Sequence, residues 1–165
     1  MSAIEIHETA IVHPGAAIHV GAVIGAYCVI KRGAEIGSGT VLKEFALIGP
    51  RAVIGKDCSI GAYTEIRGDC VLGDRVRLGS KCLLADGTVI GKDSHCSGTF
   101  TTCNKPEPGQ HNPATMGRGF YAGVGVVIMP NVVIGEDVKI GASSTVRHNV
   151  PSGEVWFGNP AVKHR

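Results

Sequence analysis

The chain has 165 residues, 16 Lys and Arg against 14 Asp and Glu, 24 glycines and only 5% aromatic residues. A net charge of +2 without a basic run argues against a nucleic-acid or membrane-surface binder. No apolar stretch reaches spanning length, and Met1–Glu5 lacks the basic-then-apolar layout of a secretory leader. The expectation is one cytoplasmic domain over 1–165, with no nucleic acid and no membrane partner.

From the start of the chain an apolar residue returns at every sixth position: Ile6, Val12, Ile18, Ile24, Ile30, Ile36, Leu42, Ile48, Ile54, Ile60, Ile66, Leu72, Leu78, Leu84 and Ile90. Neither a helical face nor a plain strand alternation has that period. A solenoid whose unit is a short strand plus a turn does. Two residues before the apolar position stands a second slot filled by small side chains such as Ala10, Ala22, Cys28, Ala46, Cys58, Thr64, Cys70, Cys82 and Thr88. Alternation along a strand turns both positions inward. Reduced cysteine packs there as a small hydrophobe, so neither a disulfide nor a metal site is expected, and no C-x-x-C spacing occurs. Glycine follows the apolar residue twelve times, where a tight corner favours backbone angles costly to other residues. His7, His13 and His19 each follow an apolar position and belong to three different walls of the solenoid.

After Cys96 the register breaks, and it resumes with Met116, Ala122, Ile128, Ile134, Ile140 and Val146, about 14 residues later than the period requires. The segment 97–115 holds Cys103, Pro106, Pro108, Gly109 and Pro113 and reads as a loop extruded from one corner, the kind of excursion that often carries function. Residues 151–165 read as a tail that closes the end of the solenoid.

The recurring [Leu/Ile/Val]-Gly-x-x-x-x unit and the ending Gly158-Asn159-Pro160-Ala161 resemble the hexapeptide-repeat acyltransferase superfamily. The resemblance implies an all-β chain: a left-handed parallel β-helix, three hexads per coil, about seven coils here, with one extruded loop. It also implies a homotrimer that uses acetyl-CoA as cosubstrate in a groove between neighbouring subunits. With 18 residues per coil, Ile30, Ile48, Ile66 and Leu84 form one inner column.

Acyl transfer requires a base for the acceptor's proton, a donor for the oxyanion and alignment of the reactants. Histidine suits the first task. His95 and His111 bracket the loop, whereas His148 and His164 lie near the carboxyl end. His111 is the first candidate, because His111-Asn112-Pro113-Ala114-Thr115-Met116-Gly117 is similar to the His-Pro re-entry of serine acetyltransferases. Phe100-Thr101-Thr102-Cys103-Asn104-Lys105-Pro106 resembles a segment of sugar-modifying members. Asn104 stands about where sugar O-acetyltransferases carry a catalytic histidine. An amine is the better nucleophile and needs a weaker base. The reading is therefore an acetyl-CoA-dependent N-acetyltransferase acting on a sugar or nucleotide-sugar. Asn104 orients the acceptor, and Asp86 or His95 assists. A sugar O-acetyltransferase is the alternative. No helical domain or mononucleotide-binding half precedes the repeat, which narrows the expectation to the compact members. By the same resemblance the small residues Gly123, Gly125, Gly141 and Ala142 let a pantetheine arm approach the backbone, while Arg118, Lys163 and Arg165 meet its phosphates.

Two other classes compete. Ile66-Arg67-Gly68-Asp69 and Asp86-Gly87-Thr88-Val89-Ile90 resemble segments of γ-class carbonic anhydrases. Gly91, however, stands where the first histidine ligand belongs, and the later His-x4-His pair is missing. Arg67 and Asp69 are then a structural pair. The third class is a solenoid without catalysis.

Overall fold

The computed structural model describes residues 3–104 and 112–164. Two-residue strands separated by tight turns stack in parallel into three sheets. Each strand pairs with the one 18 residues on: Ile30 with Ile48, Ile48 with Ile66, Ile66 with Leu84. The first face begins with Glu5–Ile6, the second with Ile11–Val12 and the third with Ala17–Ile18. This is the left-handed parallel β-helix of the hexapeptide repeat.

The second residue of each strand points into a narrow core with the small residue two before it. Ile24 through Leu84 are at most 3% exposed along this series, as are Cys28, Cys58, Cys70 and Cys82. The first coil has no neighbour beneath it, so its inward residues Ile6 and Val12 stay 46% and 37% exposed. At the far end a hairpin of Val155–Gly158 and Ala161–Lys163 pairs back antiparallel and packs Trp156 against the core.

The repeat runs one hexad further than its apolar pattern shows. Ser97–Thr102 completes a hexad, with Phe100 in the small slot and Thr102 in the apolar one, 0% and 2% exposed. Phe120 and Ala122 repeat the exchange in the next coil on the first face, and the two phenylalanine rings meet at 5.9 Å. A large ring in one slot is balanced by a small residue in the other, because core volume per coil is constrained by close packing. The strand Thr101–Thr102 is followed by Thr115–Met116. The excursion expected over 97–115 therefore leaves the helix only after Thr102, with Lys105–His111 outside the described residues. With that hexad included there are eight coils rather than seven, the last one reaching a bridge from Ile134 to Val150.

The three corners differ. At the corner after the first face, Gly25, Gly61, Gly79, Gly123 and Gly141 follow the strand; after the third face, Gly37, Gly55, Gly73, Gly91, Gly117 and Gly135 do. A Cβ built on Gly123 lies 2.6 Å from the Ala142 nitrogen of the next coil, so a side chain at that position would force the two coils apart. After the second face only Gly49 is found; His13, Lys31, Arg67, Ala85, Cys103, Met129 and Arg147 take the other positions. The turn residues also form ladders. Tyr27, Phe45 and Tyr63 all have φ near +60° and stack at 5.0 and 4.7 Å on the corner after the first face.

Candidate active site

The repeat is interrupted at the corner between the second and third faces, between Thr102 and Thr115, and three open hollows lie along that corner. One of about 260 Å³ is lined by Lys31, Glu65, Arg67 and Asp86. One of about 420 Å³ is lined by Arg51, Asp69, Asp86, Gly87 and Pro113. The third, about 230 Å³, is lined by Arg67, Leu83, Thr101, Cys103 and Asn104. Asp86 and Arg67 each border two of them.

Asp86 and Asn104 are stacked by the 18-residue coil. The Asn104 side-chain amide donates to the Asp86 carbonyl at 3.2 Å. Oδ1 of Asp86 accepts the Gly68 N–H at 3.1 Å, which leaves Oδ2 without a partner among the described residues. Asn104 spends its amide on the main chain and carries no group able to take a proton at neutral pH; it can only orient. Cys103, beside it, is held as a neutral thiol, because burial pushes its pKa up. Two ion pairs flank the ridge. Arg51 holds Asp69 by two bonds of 2.7 and 2.6 Å, and Arg67 bonds Glu65 at 3.0 Å. The pairing of Arg67 with Asp69 expected from sequence is not made. In this fold the neighbour one coil away in the same turn position, Arg51, is closer to Asp69 than the residue two positions along the chain.

Beneath the ridge lies a buried hydroxyl pair. Thr88 Oγ1 donates to the Ala85 carbonyl at 2.7 Å and lies 2.8 Å from Thr102 Oγ1, which accepts the Ala85 N–H at 2.9 Å. Sequence reading passed over both threonines, treating Thr88 as a small slot-filler and Thr102 as loop. Glu65, Arg67 and Arg51 were missed as neighbours of the site. One signal for the corner was available: counted at period 18, the in-register glycines nearly vanish from it.

The other candidates lie elsewhere. His95 is on the first face, exposed and stacked on Tyr121 at 5.6 Å, and is not brought to Asp86 and Asn104 within the chain. His111 lies outside the described residues. Gly123, Gly125, Gly141 and Ala142 gather at the corner after the first face; Ala142 covers Gly123, and Phe157 of the terminal hairpin lies over Gly141, 2.8 Å from a built Cβ. Arg118 belongs to a different corner, paired with Glu136 at 2.9 Å. Lys163 is bonded to Glu154 at 2.6 Å, and Arg165 lies outside the described residues. These residues do not share one surface of a single chain.

A family model described as the GMPPB C-terminal domain matches residues 1–95, more than half of the chain, and one described as bacterial transferase hexapeptide (six repeats) matches 113–148. The chain is a hexapeptide-repeat protein of the GMPPB C-terminal domain family. Solved hexapeptide-repeat structures align along nearly all of it. AntD from Bacillus cereus, an N-acyltransferase solved with dTDP and coenzyme A, gives a TM-score of 0.57 at 19% identity over 99% of this chain and 82% of that one. The UDP-N-acetylglucosamine acyltransferase from Campylobacter jejuni gives 0.55 at 18% over 97% and 74%. The acetyltransferase domain of PglB from Neisseria gonorrhoeae FA1090 gives 0.52 at 19% over 94% of this chain, which spans 57% of that one. At such identities the likeness is one of fold.

Proposed function

We propose that this hexapeptide-repeat protein is an acyltransferase that moves an acetyl group from acetyl-CoA to the amine of a sugar or nucleotide-sugar. The observation that carries the reading is the meeting of Asp86 and Asn104 on the corner where the repeat is interrupted, between hollows large enough for parts of two substrates. The N-acyltransferase and acyltransferases that share the fold act as support.

In the proposed reaction the acceptor amine attacks the thioester carbonyl carbon, and the carbonyl electron pair moves onto oxygen. Oδ2 of Asp86 takes the proton from nitrogen. The tetrahedral centre collapses, the C–S bond breaks with its electrons on sulfur, and coenzyme A leaves to be protonated, giving the N-acetyl product. Asn104 holds the main chain that carries Asp86, and Arg67 offers a cation to an anionic acceptor. His111 is the second candidate for the proton. An amine acceptor is favoured over a hydroxyl because Asn104, where a histidine would serve an alcohol, is already committed to the Asp86 carbonyl.

The proposed assembly is a cytoplasmic homotrimer with acetyl-CoA between subunits. Val53, Val71 and Val89 stack in register as an apolar column on the third face, with Val53 and Val71 exposed, which suits burial against another copy. No helix among the described residues is long and apolar enough to cross a membrane.

The test is release of free thiol from acetyl-CoA with a panel of nucleotide aminosugars, free aminosugars and plain sugars, with mass analysis of the product. Release with an amine acceptor and an N-acetyl product is expected. No release with any acceptor overturns the reading, and release only with plain sugars replaces it by O-acetylation.

A further inference from the structure

On the second face the N–H that follows each strand donates to the main-chain carbonyl one coil on. Lys31 bonds Ile48, Gly49 bonds Ile66, Arg67 bonds Leu84, Cys103 bonds Ile128 and Met129 bonds Val146, at 2.7–3.0 Å. The Ala85 N–H breaks the series and donates to the Thr102 side-chain hydroxyl at 2.9 Å. The strand register narrows at the same place: Leu83 pairs with Thr101, and the next residues form no pair.

A hydroxyl has one proton. Thr88 gives its proton to the Ala85 carbonyl, so the proton between the two threonines comes from Thr102. The bonds then close into a ring: Ala85 N–H to Thr102, Thr102 to Thr88, Thr88 to Ala85 C=O. Both polar groups of one residue are gripped, and that residue precedes Asp86. Thr102 is the one hydroxyl in the inward apolar series. Phe100 accounts for a small residue there but not for a polar one, since valine has the same volume and would let Ala85 keep the ordinary ladder bond. Burying two hydroxyls costs free energy that only a complete network offsets.

We propose that Thr102, acting with Thr88, is a positioning residue that shifts the Ala85–Asp86 main chain off the regular coil and aims the Asp86 carboxylate into the hollows. The inference rests on the acyltransferase reading for its catalytic consequence but not for its structural one. Thr102→Val, Thr102→Ser and the unaltered protein are compared by two measurements. The first is amide hydrogen exchange at Gly68, whose N–H is covered by Asp86 Oδ1. Loss of Gly68 protection in the valine variant at an unchanged melting temperature, with protection retained by serine, is expected. Unchanged Gly68 exchange in Thr102→Val overturns the clamp even if no acceptor is ever found.

The second measurement is turnover of acetyl-CoA with the best acceptor across pH. A fall in kcat of about 10- to 100-fold is expected for the valine variant. It should come with a displaced pH profile, an unchanged KM for acetyl-CoA and recovery by serine. A valine variant with normal kcat and pH profile overturns the positioning role. A wild-type protein inactive with every acceptor overturns the acyltransferase reading, and the catalytic consequence with it, while the exchange result still decides the clamp.

Discussion

The side-chain amide of Asn104 donates to the main-chain carbonyl of Asp86, 18 residues earlier in the chain and one coil away, at 3.2 Å. That bond ties the edge of the interruption to the residue whose carboxylate the proposed chemistry uses. Asp86→Asn keeps an acceptor for the Gly68 N–H but cannot take a proton. Its kcat should fall by about 10²–10⁴-fold with little change in melting temperature. His111→Ala should lose less. Steady-state assays of both variants with one acceptor check the assignment, and the reverse order would hand the role to His111.

Thiol reactivity follows burial. Desolvation pushes the thiols of Cys28, Cys58, Cys82 and Cys96 up, and that of Cys70 up to about 12. Cys103 alone is not fully enclosed. A disulfide reagent at pH 8 should label one cysteine in the folded protein, more slowly than a free thiol, and the other five only on unfolding. The same shifts set a pH dependence. An unfolded thiol ionises near pH ~8.5, while the folded Cys70 stays neutral until about 12. The contribution of the buried neutral thiol is thus fully present below about pH 8.5 and is lost as pH rises toward 12. Denaturant midpoints measured from pH 8 to 12 should decline steadily, and a flat profile would contradict the burial.

Gly123→Ala places a Cβ 2.6 Å from the Ala142 nitrogen and 2.8 Å from its Cα. These are main-chain atoms that cannot rotate away, so the coils must part. The expected loss is about 1–3 kcal/mol, read as a lowered melting temperature. An unchanged value would mean that the corner glycines are not required by stacking.

Phe45 sits between Tyr27 and Tyr63 with φ of 60°, a conformation that costs a side chain about 1–2 kcal/mol. Ring stacking on both sides is what offsets it. Phe45→Ala keeps the strained backbone and loses both stacks, and should destabilise by about 1–2 kcal/mol. Phe45→Gly loses the stacks but relieves the backbone, and should be more stable than the alanine variant. Equilibrium unfolding of the two compares them directly.

Much of the fold was legible because a short period leaves few alternatives. Residues two apart along extended chain share a face, so the burial of Cys28, Cys58, Cys70 and Cys82, each just before a strand, followed from their spacing to the next Ile or Leu. The pattern failed at Phe100–Thr102, where large and small residues exchange slots and a hydroxyl stands in for an aliphatic group. Hydropathy alone reads that hexad as loop. The site was legible only in part. Asp86 and Asn104 were both candidates, but His95, nine residues from each of them, lies on another wall because half a coil turns the chain to a different face.

The amino-acid sequence alone determined the unit: which side chains turn inward, where the turns fall and that the coils stack. Those are consequences of strand alternation and of glycine's tolerance for close main-chain approach, both local in the chain. Only the tertiary structure decided which groups meet across coils. Arg51 reaches Asp69 one coil on, which leaves Arg67 to Glu65 within its own coil, and the Ala85 N–H leaves a carbonyl for the Thr102 hydroxyl. Such choices depend on side-chain distances within and between neighbouring coils, which a repeat period does not encode.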